Sequence, residues 1–200
     1  MWAAQKDIEY AFKIVILGAG GVGKTCLFNR YCFNSFNMNT EMTIGINFHS
    51  TYLKIQMEDR KYHPPGMEKF VSNSIFDMSG QDKFKSLIKK FIDGASGALL
   101  VFDSINYTSF EQLDDWYEQV RENAINPEIP IILVASKSDL LEKVPEWQHV
   151  KNEIIQEYIK EKDLDGFYRT SALENYNVLE VFKKLTDLML KFSSFPAHVI

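Results

Sequence analysis

Short apolar runs separated by amphipathic stretches set the pattern of this chain. Four runs are apolar nearly throughout, and they cover residues 12–17, 98–102, 129–135 and, more weakly, 166–169. An uninterrupted apolar run of this length is typical of a strand covered on both faces, as the strands of a parallel sheet are. The chain is therefore predicted to fold around a parallel sheet.

Amphipathic segments fill the intervals between these runs. Apolar residues recur at helical spacing within residues 110–120, 150–159 and 178–189, and each segment presents one apolar face. Strands that alternate with helices favour an α/β fold with right-handed crossovers. We therefore expect helices on both faces of the sheet.

Two segments depart from this alternation. Residues 48–57 form a longer, alternating stretch and residues 70–77 follow it, which predicts an antiparallel hairpin at a mostly parallel sheet. The connection, residues 58–67, is longer than a usual hairpin loop and contains Pro64-Pro65-Gly66, so an extended, exposed loop is expected. The whole pattern predicts six strands, one of them antiparallel, and a short C-terminal tail over residues 193–200.

Composition narrows the class of protein. A chain of 200 residues with 46% hydrophobic and 24% charged residues suits one globular domain spanning residues 1–200. With a net charge of −5, the chain lacks the basic surface typical of a nucleic-acid-binding domain.

The cysteines and the apolar runs bear on the compartment of the protein. Cys26 and Cys32 do not have the spacing of a zinc site or a disulfide framework, which indicates a reducing compartment. No apolar run approaches the ~18 residues that span a bilayer. No lipidation signal is present in the printed chain, so we expect no membrane anchor or prenylation motif of its own.

A glycine-rich segment follows the first predicted strand. Residues 18–25 read Gly-Ala-Gly-Gly-Val-Gly-Lys-Thr and match the phosphate-binding pattern G-x-x-x-x-G-K-[ST] between a strand and a helix. Glycines let backbone N–H groups surround phosphate oxygens, and the following helix adds its N-terminal N–H groups. Lys24 is expected to reach the β- and γ-phosphates, and the Thr25 hydroxyl to coordinate Mg²⁺. The fold is therefore predicted to be that of a P-loop NTPase.

Four further short motifs lie at the ends of predicted elements. They are Thr43-Ile44-Gly45, Asp77-Met78-Ser79-Gly80-Gln81, Ser136-Lys137-Ser138-Asp139 and Thr170-Ser171-Ala172. Because the carboxyl ends of parallel strands share one edge of a sheet, we expect the last two motifs to meet the phosphate loop there. Together with that loop, the motifs resemble the Ras superfamily of small GTPases over nearly the whole chain. Residues 44–48, 79–84 and 109–110 are most similar to the Rab branch.

The resemblance implies catalytic and metal-binding roles. Gln81 is implied to orient the attacking water, with Lys24, Thr43 and Gly80 at the γ-phosphate. Thr25 and Thr43 are implied to hold Mg²⁺ through their hydroxyls, and Asp77 to hold it through water. The residues implied to contact GTP or GDP are Gly18, Gly20, Gly21, Val22, Gly23, Lys24, Thr25, Cys26, Phe36, Thr43, Gly80, Ser136, Lys137, Asp139, Ser171, Ala172 and Leu173.

The later motifs are implied to bind guanine. The Asp139 carboxylate can accept from both the N1–H and the exocyclic amine of guanine, a donor pair that adenine lacks. Lys137 is implied to lie along the base, and the Ala172 N–H to meet the guanine carbonyl. Phe36 either stacks against the ring or is an ordinary core aromatic, and the sequence leaves both readings open.

Three features depart from the family pattern. The base motif begins with Ser136 instead of Asn or Thr, and Leu173 stands where a lysine usually ends the last motif. Each lost contact weakens nucleotide binding by about 1 kcal/mol, so we expect faster spontaneous nucleotide release. The hairpin is also unusual: its loop over residues 58–67 is long, Phe76 replaces the usual tryptophan, and Asn73 makes the second strand polar. We therefore expect altered partners there.

The resemblance implies a molecular switch with a slow intrinsic GTPase activity. GTP would order residues 36–50 and 78–90, and hydrolysis to GDP and phosphate would release them. Effector, activating and exchange proteins are implied to bind these two segments, and the Rab-like pattern indicates membrane trafficking or signalling. Unassisted hydrolysis is expected to be slow because no arginine finger is identifiable in the chain. We expect a cytoplasmic monomer that reaches membranes through its partners.

Two alternatives remain open at this point. The chain could be a non-cycling guanine-nucleotide-binding scaffold in which Ser136 and Leu173 reflect relaxed demands on the site. Four residues argue against it when present together, since a scaffold needs none of them: Thr25, Thr43, Asp77 and Gln81. A small-molecule kinase would leave the motifs at residues 77–81 and 136–139 unexplained.

Overall fold

The computed structural model describes residues 7–57, 68–81 and 84–200 of the chain. Its strands are β1 (Asp7–Leu17), β2 (Ile46–Met57), β3 (Lys69–Met78), β4 (Gly97–Asp103), β5 (Ile131–Ser136), β6 (Gly166–Arg169) and β7 (Ala197–Val199). Its helices are α1 (Lys24–Phe33), α2 (Lys85–Ile92), α3 (Tyr107–Glu111), α4 (Leu113–Asn123), α5 (Asn152–Glu161) and α6 (Val178–Phe192). The loop predicted over residues 58–67 lies outside the described residues.

All seven strands form one sheet with the order β6-β5-β4-β1-β3-β2-β7. β1 runs parallel to both of its neighbours, with Ile14 opposite Ile75 of β3 and opposite Gly97 of β4. β5 and β6 continue the parallel part, whereas β2 is antiparallel to β3. The predicted α/β architecture with a mostly parallel sheet and an antiparallel hairpin is confirmed.

The strand count differs from the sequence-based expectation of six. Ala197–Val199, within the segment expected to be only a tail, pairs antiparallel with Ile55–Met57 at the outer edge of β2. The Ile200 N–H also donates to the Lys54 carbonyl, at 3.0 Å. A three-residue strand carries little periodic signal, so only its pairing with β2 identifies it.

Two hydrophobic clusters cover the two faces of the sheet. On one face Leu100 and Phe102 of β4 pack with Phe110, Trp116 and Ile155 from the helices α3, α4 and α5. On the other face the core includes Phe28 of α1 and Phe182 of α6. Because consecutive side chains of a strand point to opposite faces, a strand buried on both faces reads as an unbroken apolar run. None of the described helices is long and apolar enough to cross a bilayer.

Candidate nucleotide-binding site

A cleft of about 420 Å³ opens at the carboxyl edge of the parallel strands. The loops after β1, β3, β5 and β6 contribute to its walls, together with the segment before β2. The predicted site residues that line it are Gly20, Gly21, Gly23, Lys24, Thr25, Cys26, Phe36, Thr43, Gly80, Gln81, Ser136, Lys137, Asp139, Ala172 and Leu173. Four other predicted residues, Gly18, Val22, Asp77 and Ser171, lie behind this lining.

Gly18 and Val22 shape the phosphate loop from behind. A Cβ on Gly18 would lie 2.1 Å from the Val101 carbonyl oxygen of β4, so only glycine lets β1 turn into the loop so close to its neighbour. Val22 is buried in the core, and its carbonyl oxygen accepts a hydrogen bond from the Ser136 hydroxyl. Both residues support the loop and do not line the cleft.

Lys24 lies at the centre of the phosphate loop. Its ammonium donates to the carbonyl oxygens of Gly18 at 2.8 Å and Ala19 at 2.6 Å, and only 5% of the residue is exposed. Burial lowers the pKa of Lys24 to about 8, against the opposing attraction of Asp77. A buried ammonium that donates to neutral carbonyls is suited to an added anion, which would raise its pKa again.

Three oxygen-bearing side chains meet beside Lys24. The Thr25 Oγ1 lies 2.5 Å from Thr43 Oγ1 and donates to Asp77 Oδ2 at 2.8 Å. Asn47 of β2 donates from Nδ2 to the same Asp77 oxygen, at 2.9 Å. Burial raises the pKa of Asp77, while the hydrogen bonds from Asn47 and Thr25 and the charge of Lys24 lower it. The other carboxylate oxygen, Oδ1, is buried without a hydrogen-bond partner among the described residues.

This corner fits Mg²⁺ better than a transition metal. The described residues contain no group of three or more His, Cys, Asp or Glu side chains that could hold a metal. Two hydroxyls and one carboxylate are hard oxygen donors, and Mg²⁺ is usually bound by one or two carboxylates with phosphates and water. The unpartnered Asp77 Oδ1 supplies the acceptor that a water in the metal's coordination shell would need.

Hydrogen bonds join the segments before β2 and after β3. The Ser79 hydroxyl donates to the Thr43 carbonyl at 2.9 Å, and the Gln81 amide Nε2 donates to the same carbonyl at 3.2 Å. Gly80 packs directly on the phosphate loop, because a Cβ there would lie 2.4 Å from Gly20 N. Thr43, Gly80 and Gln81 therefore lie together at one end of the cleft.

The motifs predicted to bind the base contribute Ser136, Lys137, Asp139 and Ala172 to the cleft lining. The Ser136 hydroxyl is directed at the Val22 carbonyl and at the Phe102 carbonyl, the latter at 2.9 Å. Lys137 has a positive φ of 56° and its Nζ pairs with Asp103 Oδ2 at 2.7 Å. Asp139 Oδ1 accepts from the Ser171 hydroxyl at 2.7 Å, so Ser171 orients that carboxylate from behind the lining.

Three residues that sequence reasoning missed organise the site. Asn47 holds Asp77, Asp103 pairs with Lys137, and Arg30 of α1 donates to the carbonyl oxygens of residues 172 and 173. Asn47 stands within residues 44–48, and its signal was a polar side chain between the apolar Ile46 and Phe48 at the start of β2. Arg30 had no comparable signal, because its acceptors lie more than 140 residues further along the chain.

A family model and individual known proteins match the sequence of this chain, and both support the resemblance that its motifs indicate. The sequence model of the Ras family matches residues 13–191. The chain is 32% identical to the Ras-related protein RABA1b of Arabidopsis thaliana over 193 residues, which is 96% of this chain and 82% of that protein. It is also 32% identical to the Ras-related protein Rab-11A of Dictyostelium discoideum over 195 residues, 98% of this chain and 83% of that protein. The GTP-binding protein ypt4 of Schizosaccharomyces pombe is 32% identical over 186 residues, covering 93% of this chain and 74% of its own length.

Proposed function

Because the chain belongs to the Ras family of small GTPases, and within it to the Rab branch, we propose that it binds GTP and GDP with Mg²⁺ in the cleft described above and switches between the two forms by hydrolysis. The observation that carries this proposal is the corner formed by Thr25, Thr43 and Asp77 beside the buried Lys24. These side chains come from helix α1, from the segment before β2 and from strand β3, and their meeting suits a phosphate group with a metal ion.

The phosphate loop would bind the nucleotide phosphates. Lys24 would exchange its hydrogen bonds with loop carbonyls for phosphate oxygens, which favours its charged form. The N-terminal N–H groups of α1 add further donors. Thr25, Thr43 and Asp77 would hold the Mg²⁺, which neutralises charge on the phosphates when bound.

Hydrolysis would depend on Gln81 and Thr43. The Gln81 Nε2 donates directly to the Thr43 carbonyl, and a water that takes the place of this hydrogen bond would contact both groups. Gln81 would orient this water, and the Thr43 carbonyl would accept a hydrogen bond from it. Catalysis of this kind rests on positioning and charge neutralisation, and without an arginine from another protein the rate is expected to be slow.

The far end of the cleft would bind guanine. Asp139 is oriented by Ser171 and would accept from the N1–H and the amine of the base. Lys137 is held by Asp103 and would lie along the ring. Phe36 lines the cleft and is half-buried, which favours contact with the nucleotide over a core role.

Partner proteins would bind beside the γ-phosphate end of the cleft. Apolar side chains project into solvent there, among them Ile44, which is 82% exposed, and Met42, which is 61% exposed. Phe48 is also exposed and packs its ring 4.9 Å from Phe76. Exposed apolar side chains next to groups that respond to the γ-phosphate suit effectors that bind the GTP form. Membership of the Rab branch supports a role in membrane trafficking.

Single-turnover hydrolysis tests the proposal. Wild type, Gln81→Leu and the exposed control Gln112→Leu are each loaded with GTP or ATP, and phosphate release is followed. We expect GTP to be hydrolysed by wild type and by the control, ATP not to be, and Gln81→Leu to lose roughly tenfold or more in rate while still binding GTP. GTP loss no faster in wild type than in Gln81→Leu would favour the non-cycling scaffold, and equal use of ATP would refute the guanine assignment.

A further inference from the structure

The guanidinium of Arg30 connects helix α1 to the loop that follows β6. Its Nε donates to the Ala172 carbonyl at 2.7 Å, and Nη2 donates to the Leu173 carbonyl at 3.3 Å. The remaining nitrogen, Nη1, donates to the carbonyl and the side chain of Asn34, at 3.2 and 3.1 Å. All three nitrogens of one side chain therefore act on backbone or side-chain oxygens at the base end of the cleft.

The helix that carries Arg30 is fixed to the phosphate loop. α1 begins at Lys24 and packs Leu27 and Phe28 into the core, so its position along the cleft is rigid. Arg30 lies on its last turn, next to the C-terminal cap residue Asn34, which adopts a left-handed conformation with φ 49°. Arg30 thus fixes the position of the loop after β6 relative to the phosphate loop.

Ala172 is held on both sides as a result. The preceding residue, Ser171, is anchored through its hydroxyl to Asp139 and through backbone hydrogen bonds to Tyr176. The peptide that follows Ala172 is fixed by Arg30 through its carbonyl. With both neighbouring peptides restrained, the Ala172 N–H has one direction available to it.

We propose that Arg30 is a positioning residue for guanine recognition, which holds the Ala172 N–H toward the 6-oxo group of the base in the guanine site proposed above. The planar guanidinium suits this task because it offers several donors in fixed directions, which a lysine ammonium does not. Arg30 also holds a loop in which Leu173 stands in place of the lysine that usually ends the motif. Among the described residues, the hydrogen bonds of the Arg30 guanidinium go to this loop and to Asn34.

Three diphosphates that differ at the base test this role. GDP and inosine diphosphate both carry the 6-oxo group, whereas 6-thio-GDP replaces that oxygen with sulfur, a weaker acceptor. Dissociation of each from wild type, Arg30→Ala and Arg30→Lys is measured by displacement with excess nucleotide. Arg121→Ala is the matched control, because Arg121 also donates to backbone carbonyls, at Pro127 and Ile129, in a turn outside the cleft lining.

We expect Arg30→Ala to release GDP and inosine diphosphate roughly tenfold faster than wild type, the scale of one to two lost hydrogen bonds. Arg30→Ala should release 6-thio-GDP at most about twofold faster than wild type. Arg30→Lys should release GDP at a rate between those of wild type and Arg30→Ala. Arg121→Ala should release all three diphosphates as wild type does.

An equal acceleration for all three diphosphates would overturn the proposal, because a general loosening of the fold acts on every ligand alike. Unchanged GDP release in Arg30→Ala would overturn it as well. If Arg30→Ala does not fold, the release rates of the three diphosphates from Arg30→Lys are compared with those of wild type in the same way. Failure of wild type to bind GDP at all would instead refute the nucleotide site itself, so the two failures are distinguishable.

Discussion

At the scale of single residues, the segment after β3 lies so close to the phosphate loop that Gly80 has no room for a side chain. A Cβ on Gly80 would lie 2.4 Å from Ala19 C and from Gly20 N and 2.5 Å from the Ala19 oxygen. All three are backbone atoms, which cannot swing away as the end of a side chain could. Closure of Gly80 onto the loop therefore requires glycine.

Gly80→Ala should separate GTP hydrolysis from GDP binding. The added methyl prevents Gly80 and Gln81 from reaching the γ-phosphate end, so we expect single-turnover hydrolysis to fall at least about tenfold. GDP affinity should change less than about threefold, since GDP has no γ-phosphate. Gly166→Ala is the control, because its Cβ would make only an ordinary 3.7 Å contact with Ile132. Equal losses in hydrolysis and in GDP affinity would contradict this account.

The two cysteines of α1 should differ in reactivity. Burial, with a smaller effect from Asp77, raises the pKa of Cys32 to about 12, whereas Cys26 lines the cleft. Because only the thiolate reacts, alkylation of Cys32 should rise about tenfold per pH unit from pH 7 to pH 10 without levelling off. GDP with Mg²⁺ should slow alkylation of Cys26 only. Peptide mass spectrometry after iodoacetamide treatment measures both, and a plateau for Cys32 below pH 10 would show the pKa to be wrong.

At the scale of elements, β3 carries a polar residue into the core. Asn73 is fully buried and donates from Nδ2 to Thr186 Oγ1 of α6 at 2.9 Å, while the Thr186 hydroxyl donates to the Phe182 carbonyl at 2.8 Å. The Asn73 Oδ1 has no hydrogen-bond partner among the described residues. The polar residue that is unusual in the second hairpin strand, Asn73, therefore connects β3 to α6 through a hydrogen bond.

Substitution of this pair should be strongly non-additive. Thr186→Val leaves the Asn73 amide without its acceptor, so we expect a loss of ~1–3 kcal/mol in the free energy of unfolding. Asn73→Val together with Thr186→Val removes both polar groups and should be more stable than Thr186→Val alone. Denaturant unfolding of the single and double variants gives the coupling energy, with Ser72→Val on the same strand as the control. Additive losses would show that the two side chains do not act as a pair.

At the scale of the whole molecule, β7 extends the sheet past its hairpin edge. The Ala197 side chain is buried, and the Val199 N–H donates to the Asp187 carboxylate of α6 at 2.7 Å. The chain from α6 thus returns to cover the end of β2. Covering an edge strand in this way protects its unpaired backbone groups from other chains.

Asp187→Ala should loosen β7 without unfolding the domain. A hydrogen bond to a charged acceptor is worth ~1.5–3 kcal/mol, so the pairing of residues 197–199 with β2 should open more often. Hydrogen exchange at residues 54–57 and 197–200 should become at least several-fold faster, while the centre of the sheet keeps its protection. Glu180→Ala, at the other end of α6, is the control. Unchanged exchange at residues 197–200 would show that Asp187 does not hold the strand.

The sequence alone was enough for the features that depend on local order. Strands buried on both faces need unbroken apolar runs, so residues 12–17 of β1, together with β4 and β5, were visible as such. Their alternation with amphipathic segments indicated the α/β fold. The phosphate loop was visible because its glycines, Lys24 and Thr25 act at fixed short spacing between one strand and one helix.

Only the tertiary structure decided which distant groups meet. Arg30 and Ala172 are 142 positions apart, and Asn47 and Asp77 are 30 apart, so no spacing rule could pair them. The strand β7 is too short for a periodic signal and exists through its partner β2. The physical reason is the same in each case: a hydrogen bond depends on distance and direction in space, and the fold sets these for residues that the chain order leaves unrelated.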